Sequence, residues 1–105
     1  MVKIKICGIT NTEDAKIASD LGADALGFIF AKSPRKISPS CAKKIINSLP
    51  PYIARVGVFV NERINTVNHI AKLCKLDVIQ LHGDESPAYC KKINGRVIKA
   101  FRIKD

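Results

Sequence analysis

The segment Lys5-Ile6-Cys7-Gly8-Ile9-Thr10 brings together a thiol, a lysine and a turn glycine. A cysteine there can act as a base or a nucleophile once it is a thiolate. Alternation along an extended segment puts Lys3, Lys5 and Cys7 on one face, with Ile4 and Ile6 on the other. Lys5 then lies about 7 Å along the strand from the thiol, at about 3.3 Å of rise per residue. A neighbouring ammonium favours the thiolate, which makes Lys5 a candidate for tuning Cys7. A helix that starts a few residues later acts in the same sense through its N-terminus. The plain alternative is a small buried cysteine beside a solvated lysine at a strand end.

Two further segments carry candidate groups. Arg35 stands in the polar stretch Lys32-Ser33-Pro34-Arg35-Lys36, where its planar guanidinium suits a carboxylate. Its alternative is a solvent-facing arginine in a basic loop. Gln80 and His82 alternate in Gln80-Leu81-His82-Gly83-Asp84-Glu85, so they share a face. His82 suits an acid/base group, a substrate donor or a hydrogen-bonded loop histidine. No metal site is expected: His69 and Cys74 fall on different faces of one helix, and no cluster has zinc-ligand spacing. No Ser/His/Asp arrangement stands out.

These residues need a scaffold that puts strand ends side by side. Val2–Ile6, Ala25–Phe30, Val56–Val60, Val78–Leu81 and Val97–Phe101 read as strands, several of them nearly continuous apolar runs. Helical stretches separate them. Thr10 and Glu13 have capping-box spacing, followed by Ala15, Ala18 and Leu21 on one face and a stop at Gly22. Ser38-Pro39 supplies a cap and a first-turn proline ahead of Ala42, Ile45, Ile46 and Leu49. Asn61 is the expected cap of a helix that buries Ile64, Val67, Ala71 and Cys74. Ser86-Pro87 opens a short helix that ends at Asn94-Gly95.

The pattern is four βα units and a fifth strand, hence an α/β protein with a parallel sheet. An open doubly wound sheet and a (β/α)₈ barrel both fit. Gly27 and Gly57 inside strands mark bends or close packing and favour the barrel. A single glycine after the first strand does not make a dinucleotide fingerprint.

Bulk properties narrow the partners. The 105 residues suit one domain. The net charge of +9 points to an anionic partner. The 18 Lys and Arg are dispersed in runs no longer than two, and Trp is absent, so a small anion is expected rather than nucleic acid. No apolar run approaches the roughly 20 residues of a membrane span. Lys3 and Lys5 break the only apolar stretch near the N-terminus, which therefore does not read as a signal peptide. Cys7, Cys41, Cys74 and Cys90 show no C-x-x-C pair and read as reduced thiols of a cytoplasmic protein.

Five segments in register carry a resemblance. They are Lys5–Thr10, Gly22–Phe30, Ser33–Pro39, Val56–Asn61 and Gln80–Glu85. Together they resemble phosphoribosylanthranilate isomerase, the Amadori-rearrangement enzyme of tryptophan biosynthesis, from Val2 to about Ala100. The resemblance implies the TIM-barrel family and a cofactor-free aldose-to-ketose isomerisation, formally an intramolecular oxidoreduction. In that family an acid protonates the furanose ring oxygen, and the opened Schiff base loses its C2 proton to a cysteine. Cys7 matches that base, and Arg35 matches the arginine that meets the anthranilate carboxylate. His82, with Gln80, falls in the matching fourth-strand segment.

The family's acid is an aspartate on the sixth strand, and its phosphate site follows strands seven and eight. Asp105 is not that aspartate by position. The expectation is therefore a partial barrel of strands one to five and helices one to four, with residues 1–105 as the N-terminal part of a single barrel domain. Such a chain is expected to be inactive alone, and to self-associate or to join a complementary C-terminal half. The rivals are a non-catalytic half-barrel and an open, flavodoxin-like domain that binds a small anion.

Overall fold

The computed structural model describes residues 3–99. Its elements alternate as β1 (Lys5–Cys7), α1 (Thr12–Asp20), β2 (Ala25–Ile29), α2 (Pro39–Asn47), β3 (Ala54–Phe59), α3 (Ile64–Cys74), β4 (Val78–Leu81), α4 (Pro87–Lys91) and β5 (Arg96–Lys99). All neighbouring strands run parallel, and the sheet order is β1-β2-β3-β4-β5. A doubly wound sheet reverses its order at a switch point. This one never does, which rules out the flavodoxin-like arrangement. Parallel crossovers are right-handed, so a sheet that always adds its next strand on the same side carries all its helices on one face.

Register identifies the two faces. Leu26 and Phe28 of β2, Phe59 of β3, and Ile79 and Leu81 of β4 are fully buried with the helix residues Ala15, Ala42, Ile46, Val67 and Cys74. Phe30 and Phe59 stack with ring centroids 5.2 Å apart. The opposite face holds Lys5, Cys7, Gly27, Val56, Val58 and Gln80, aligned by the pairs Cys7↔Gly27, Gly27↔Val56 and Val58↔Gln80. Val56 and Val58 are buried without joining the helix-side core. Lys5 on β1 reaches Gln80 on β4 with a direct hydrogen bond. Three strand spacings of about 4.8 Å separate those strands along the sheet. Side chains of this length meet only if the sheet curls toward them, so this face is concave. Of the expected lysine face, Lys5 points into the hollow of this partial barrel, while Lys3 lies ahead of β1.

Local signals explain most boundaries. Ser38 Oγ accepts from Cys41 N at 3.3 Å and Ser86 Oγ from Tyr89 N at 3.1 Å, each with proline in the first turn, as expected. The cap of α1 is Asn11, not Thr10: its Oδ1 accepts from Asp14 N at 2.8 Å. Gly8 and Ile9 both donate to Gly27 O, at 3.0 and 3.1 Å, which delays the helix start. Leu21 is 75% exposed rather than inward, because α1 has ended and Gly22 turns the chain at φ +92°. Asn61 does not cap α3. It sits at φ 49°, and Arg63 takes the cap position without a side-chain bond. Helix α4 ends at Lys91, before Asn94-Gly95, and Gly95 makes the turn into β5 at φ +112°.

Strand β1 begins at Lys5 because Ile4 N is bound to Asp24 Oδ2 at 2.7 Å, ahead of the ladder. Strand β3 starts two residues before Val56, where Ala54 pairs with Ala25, and Val60 lies beyond its end. Val2, Ala100, Phe101 and Asp105 lie outside the described residues.

Among the described residues, β1 and β5 each pair on one side only, and Ile4, Ile17, Leu21 and Ile98 are exposed. Open edges beside apolar surface template association. The isolated chain is expected to self-associate, or to be only partly ordered. Light scattering and thermal melts check this, and a monodisperse monomer with one sharp transition would contradict it.

Candidate active site

In parallel βα folds the chemistry sits at the carboxyl ends of the strands. Cys7 is the last residue of β1, and His82 directly follows β4. Cys7 is half-buried, and Gly27 lies opposite it in register. A Cβ on Gly27 would stand 2.8 Å from Cys7 Sγ and 3.2 Å from its Cα. Absence of a side chain at Gly27 therefore makes the space the thiol occupies.

Gly8 serves Arg35 in the same way. It turns at φ +90°, and a Cβ there would stand 2.5 Å from Arg35 Cδ. The arginine side chain lies across this bare backbone. Its loop is fixed where Arg35 N donates to Ser33 Oγ at 3.1 Å and Ile37 N to Ile29 O at 2.9 Å. Cys7 and Arg35 border one cavity of about 370 Å³. Ile6 and Cys7 both line it, so it wraps the free edge of β1. A larger cavity of about 480 Å³, lined by Phe30, Ile37, Pro39 and Ile70, contains none of the candidate residues.

Lys5, Gln80 and His82 form one chain of hydrogen bonds on the concave face. The Lys5 ammonium can only donate, so it holds the Gln80 amide by Oε1. Gln80 Nε2 then points at His82 Nε2, 2.6 Å away. An amide nitrogen also only donates, so His82 Nε2 is the acceptor. The tautomer that fits this contact carries its proton on Nδ1. Of the roles open to His82, this geometry favours a donor.

The remaining thiols are structural or peripheral. Cys74 is buried and donates to Pro39 O at 3.4 Å; burial pushes its thiol up, partly offset by Lys43. Cys41 is exposed on α2. Among the described residues no three His, Cys, Asp or Glu side chains gather as metal ligands. No helix there is long and apolar enough to cross a membrane.

Residues 4–105 match the family model of N-(5'-phosphoribosyl)anthranilate (PRA) isomerase. The chain belongs to the phosphoribosylanthranilate isomerase family. A relative from Geotalea uraniireducens is 58% identical over all of this chain and 52% of its own length. The crystal structure of the enzyme from Thermotoga maritima is 50% identical and superposes with a TM-score of 0.92 over 94% of this chain and 50% of that one. Another solved phosphoribosylanthranilate isomerase, in complex with reduced 1-(o-carboxyphenylamino)-1-deoxyribulose 5-phosphate, is also 50% identical at TM-score 0.92, covering 94% and 53%. The chain thus spans about half the length of the relatives it matches. Its five-stranded sheet, a partial barrel, superposes on about half of the phosphoribosylanthranilate isomerase from Thermotoga maritima.

One feature of this family member was not expected from sequence. Glu85 is the buried charged side chain of the described residues, paired with Lys99 at 2.6 Å. Burial alone would raise its carboxyl. The Lys99 hydrogen bond and the Asn61 N–H outweigh burial and hold it below the ordinary carboxylate value. Nothing in the sequence links the two, since strand register alone brings Lys99 opposite Leu81.

Proposed function

We propose that this chain is the N-terminal part, residues 1–105, of a single barrel domain that isomerises N-(5'-phosphoribosyl)anthranilate to the 1-deoxyribulose 5-phosphate product. The reaction would serve tryptophan biosynthesis in the cytoplasm. The observation that carries the reading is the pair of bare glycines at the rim: Gly27 makes room for the Cys7 thiol and Gly8 seats Arg35 beside it.

In this reading the chemistry divides between two halves. An acid from the C-terminal half protonates the ring oxygen, the C1–O bond breaks, and the anthranilate nitrogen lone pair closes a C1=N bond. The Cys7 thiolate then takes the C2 proton, and the released electron pair flows to the imine nitrogen. The enol left at C2 becomes the ketone as its hydroxyl loses a proton and C1 gains one. No external oxidant or cofactor is required. Arg35 grips the anthranilate carboxylate. Lys5 contributes positive charge on the face Cys7 occupies and orients Gln80, and His82 offers Nδ1–H to a substrate oxygen.

The test uses a full-length isomerase that carries this sequence as its N-terminal half. Cys7→Ala is expected to lower kcat by about 10²–10⁴-fold, the usual worth of a positioned proton-transfer group. Arg35→Met should act mainly on KM. Retention of kcat in Cys7→Ala, with the fold intact by circular dichroism, would refute the base assignment.

A further inference from the structure

The buried ion pair sits directly behind His82. Glu85 Oε2 accepts from Asn61 N at 2.7 Å, and Oε1 accepts from Gly83 N at 2.9 Å while pairing with Lys99 Nζ at 2.6 Å. Lys99 also donates to Gly83 O. One ion pair therefore holds both polar groups of residue 83. On the other side, His82 N donates to Phe59 O at 3.0 Å. Asn61, in its left-handed conformation, accepts from Asp84 N at 2.7 Å. A Cβ on residue 83 would collide with that Asn61 amide. The backbone from His82 to Asp84 is thus held from three sides: by Phe59 O, by the Asn61 side chain and by the ion pair.

The face on which this happens is informative. Lys99 aligns with Leu81, on the helix side of the sheet, whereas Gln80 and His82 belong to the concave side. A buried ion pair rarely stabilises better than apolar side chains of the same volume. A carboxylate does offer what apolar side chains cannot, namely directed hydrogen bonds from two backbone N–H groups. Burial of the Glu85 side chain at 1% exposure, against 18% for Lys99, keeps those bonds free of competing water.

We infer that Glu85 and Lys99 are positioning residues for the isomerisation: Glu85 fixes the His82–Gly83 peptide through Gly83 N, Lys99 fixes the following peptide through Gly83 O, and together they hold the His82 imidazole toward the substrate side. The inference rests on the reading of His82 as a substrate-facing donor. Neither residue touches the substrate.

The test is a mutant cycle in a full-length isomerase carrying this N-terminal half. His82→Asn should lower kcat at least about ten-fold. Glu85→Gln and Lys99→Met should each lower kcat by about 10–100-fold, as small misplacements of a reacting group do, with KM within about three-fold. Lys99→Arg should recover most of the loss. In the His82→Asn background the same two changes should cost less than about two-fold, because residues that act as one unit are not additive. If Glu85→Gln fails to fold, the Lys99→Met, Lys99→Arg and His82→Asn combinations carry the test alone, since Lys99 is partly exposed. An undiminished loss in the His82→Asn background would overturn the inference and leave the pair a plain stabiliser. An inert His82→Asn beside a dead Cys7→Ala would overturn it together with the role of His82, while sparing the base.

Discussion

The 105-residue chain alone is expected to convert no measurable phosphoribosylanthranilate, and mixing it with a separately produced C-terminal half of a family member should restore turnover. The chain holds a candidate base, Cys7, and a candidate carboxylate grip, Arg35, on one rim. Ring opening also needs a proton on a weakly basic ether oxygen, and a positioned acid contributes about 10²–10⁴-fold. A phosphate grip adds alignment, which in favourable cases is worth about 7–11 kcal/mol. In the family both come from strands six to eight. The relative from Geotalea uraniireducens is about twice as long as this chain, which covers 52% of it. Among the described residues β1 and β5 each pair on one side only, and those edges are the seams along which a second half would add. Steady-state assays of each half and of the mixture check this. Turnover by the chain alone that vanishes in Cys7→Ala would refute the division of labour, as would a mixture that forms a complex without gaining activity.

The second large effect is expected at Gly27, a residue with no chemistry of its own. In a full-length isomerase, Gly27→Ala should lower kcat/KM by about 10²-fold, the scale of a roughly 1 Å misplacement. Its new Cβ would stand 2.8 Å from Cys7 Sγ and 3.2 Å from both Cys7 Cα and Cβ. Were the sulfur the only obstacle, rotation about χ1 would clear it. The backbone of Cys7 is also in the way, so β1 itself has to move. Overpacking of this kind costs about 1–3 kcal/mol of stability, so the melt should shift while the protein stays folded. The rate of Cys7 alkylation should change in the same variant. Unaltered kinetics in a folded Gly27→Ala enzyme would show that the thiol does not need this space.

Sequence and structure agree where a signal is local. The Lys5 and Cys7 face of the first strand, the Ser38-Pro39 and Ser86-Pro87 starts, and close packing at Gly27 and Gly57 all depend on side chains within a few residues or on the absence of one. A Cβ at Gly57 would meet Leu76 Cδ1 at 2.5 Å, so that glycine does mark close packing. Disagreement arises where a distant group takes over a local one. Thr10 has the spacing of a cap, yet Gly27 O claims the two N–H groups before it and Asn11 takes its place. Asn61 has the chemistry of a cap, yet its side-chain oxygen is occupied by Asp84 N across the rim. The Lys5–Gln80 bond and the Glu85–Lys99 pair were illegible for the same reason. Their partners meet only after the sheet has curved or the register of β5 is set.

Because each strand lies beside the one made just before it, the order of synthesis is also the order of assembly. A ribosome extends a chain at about 5–20 residues per second, so a βα unit of some 25 residues emerges over roughly one to five seconds. Helix formation and collapse of short segments take microseconds. Every new unit therefore finds its template already exposed and has ample time to dock before the next appears. No strand needs to wait for a later one to be inserted between it and its neighbour. The growing edge therefore moves outward from β1 in the order of synthesis, one open seam advancing with each unit.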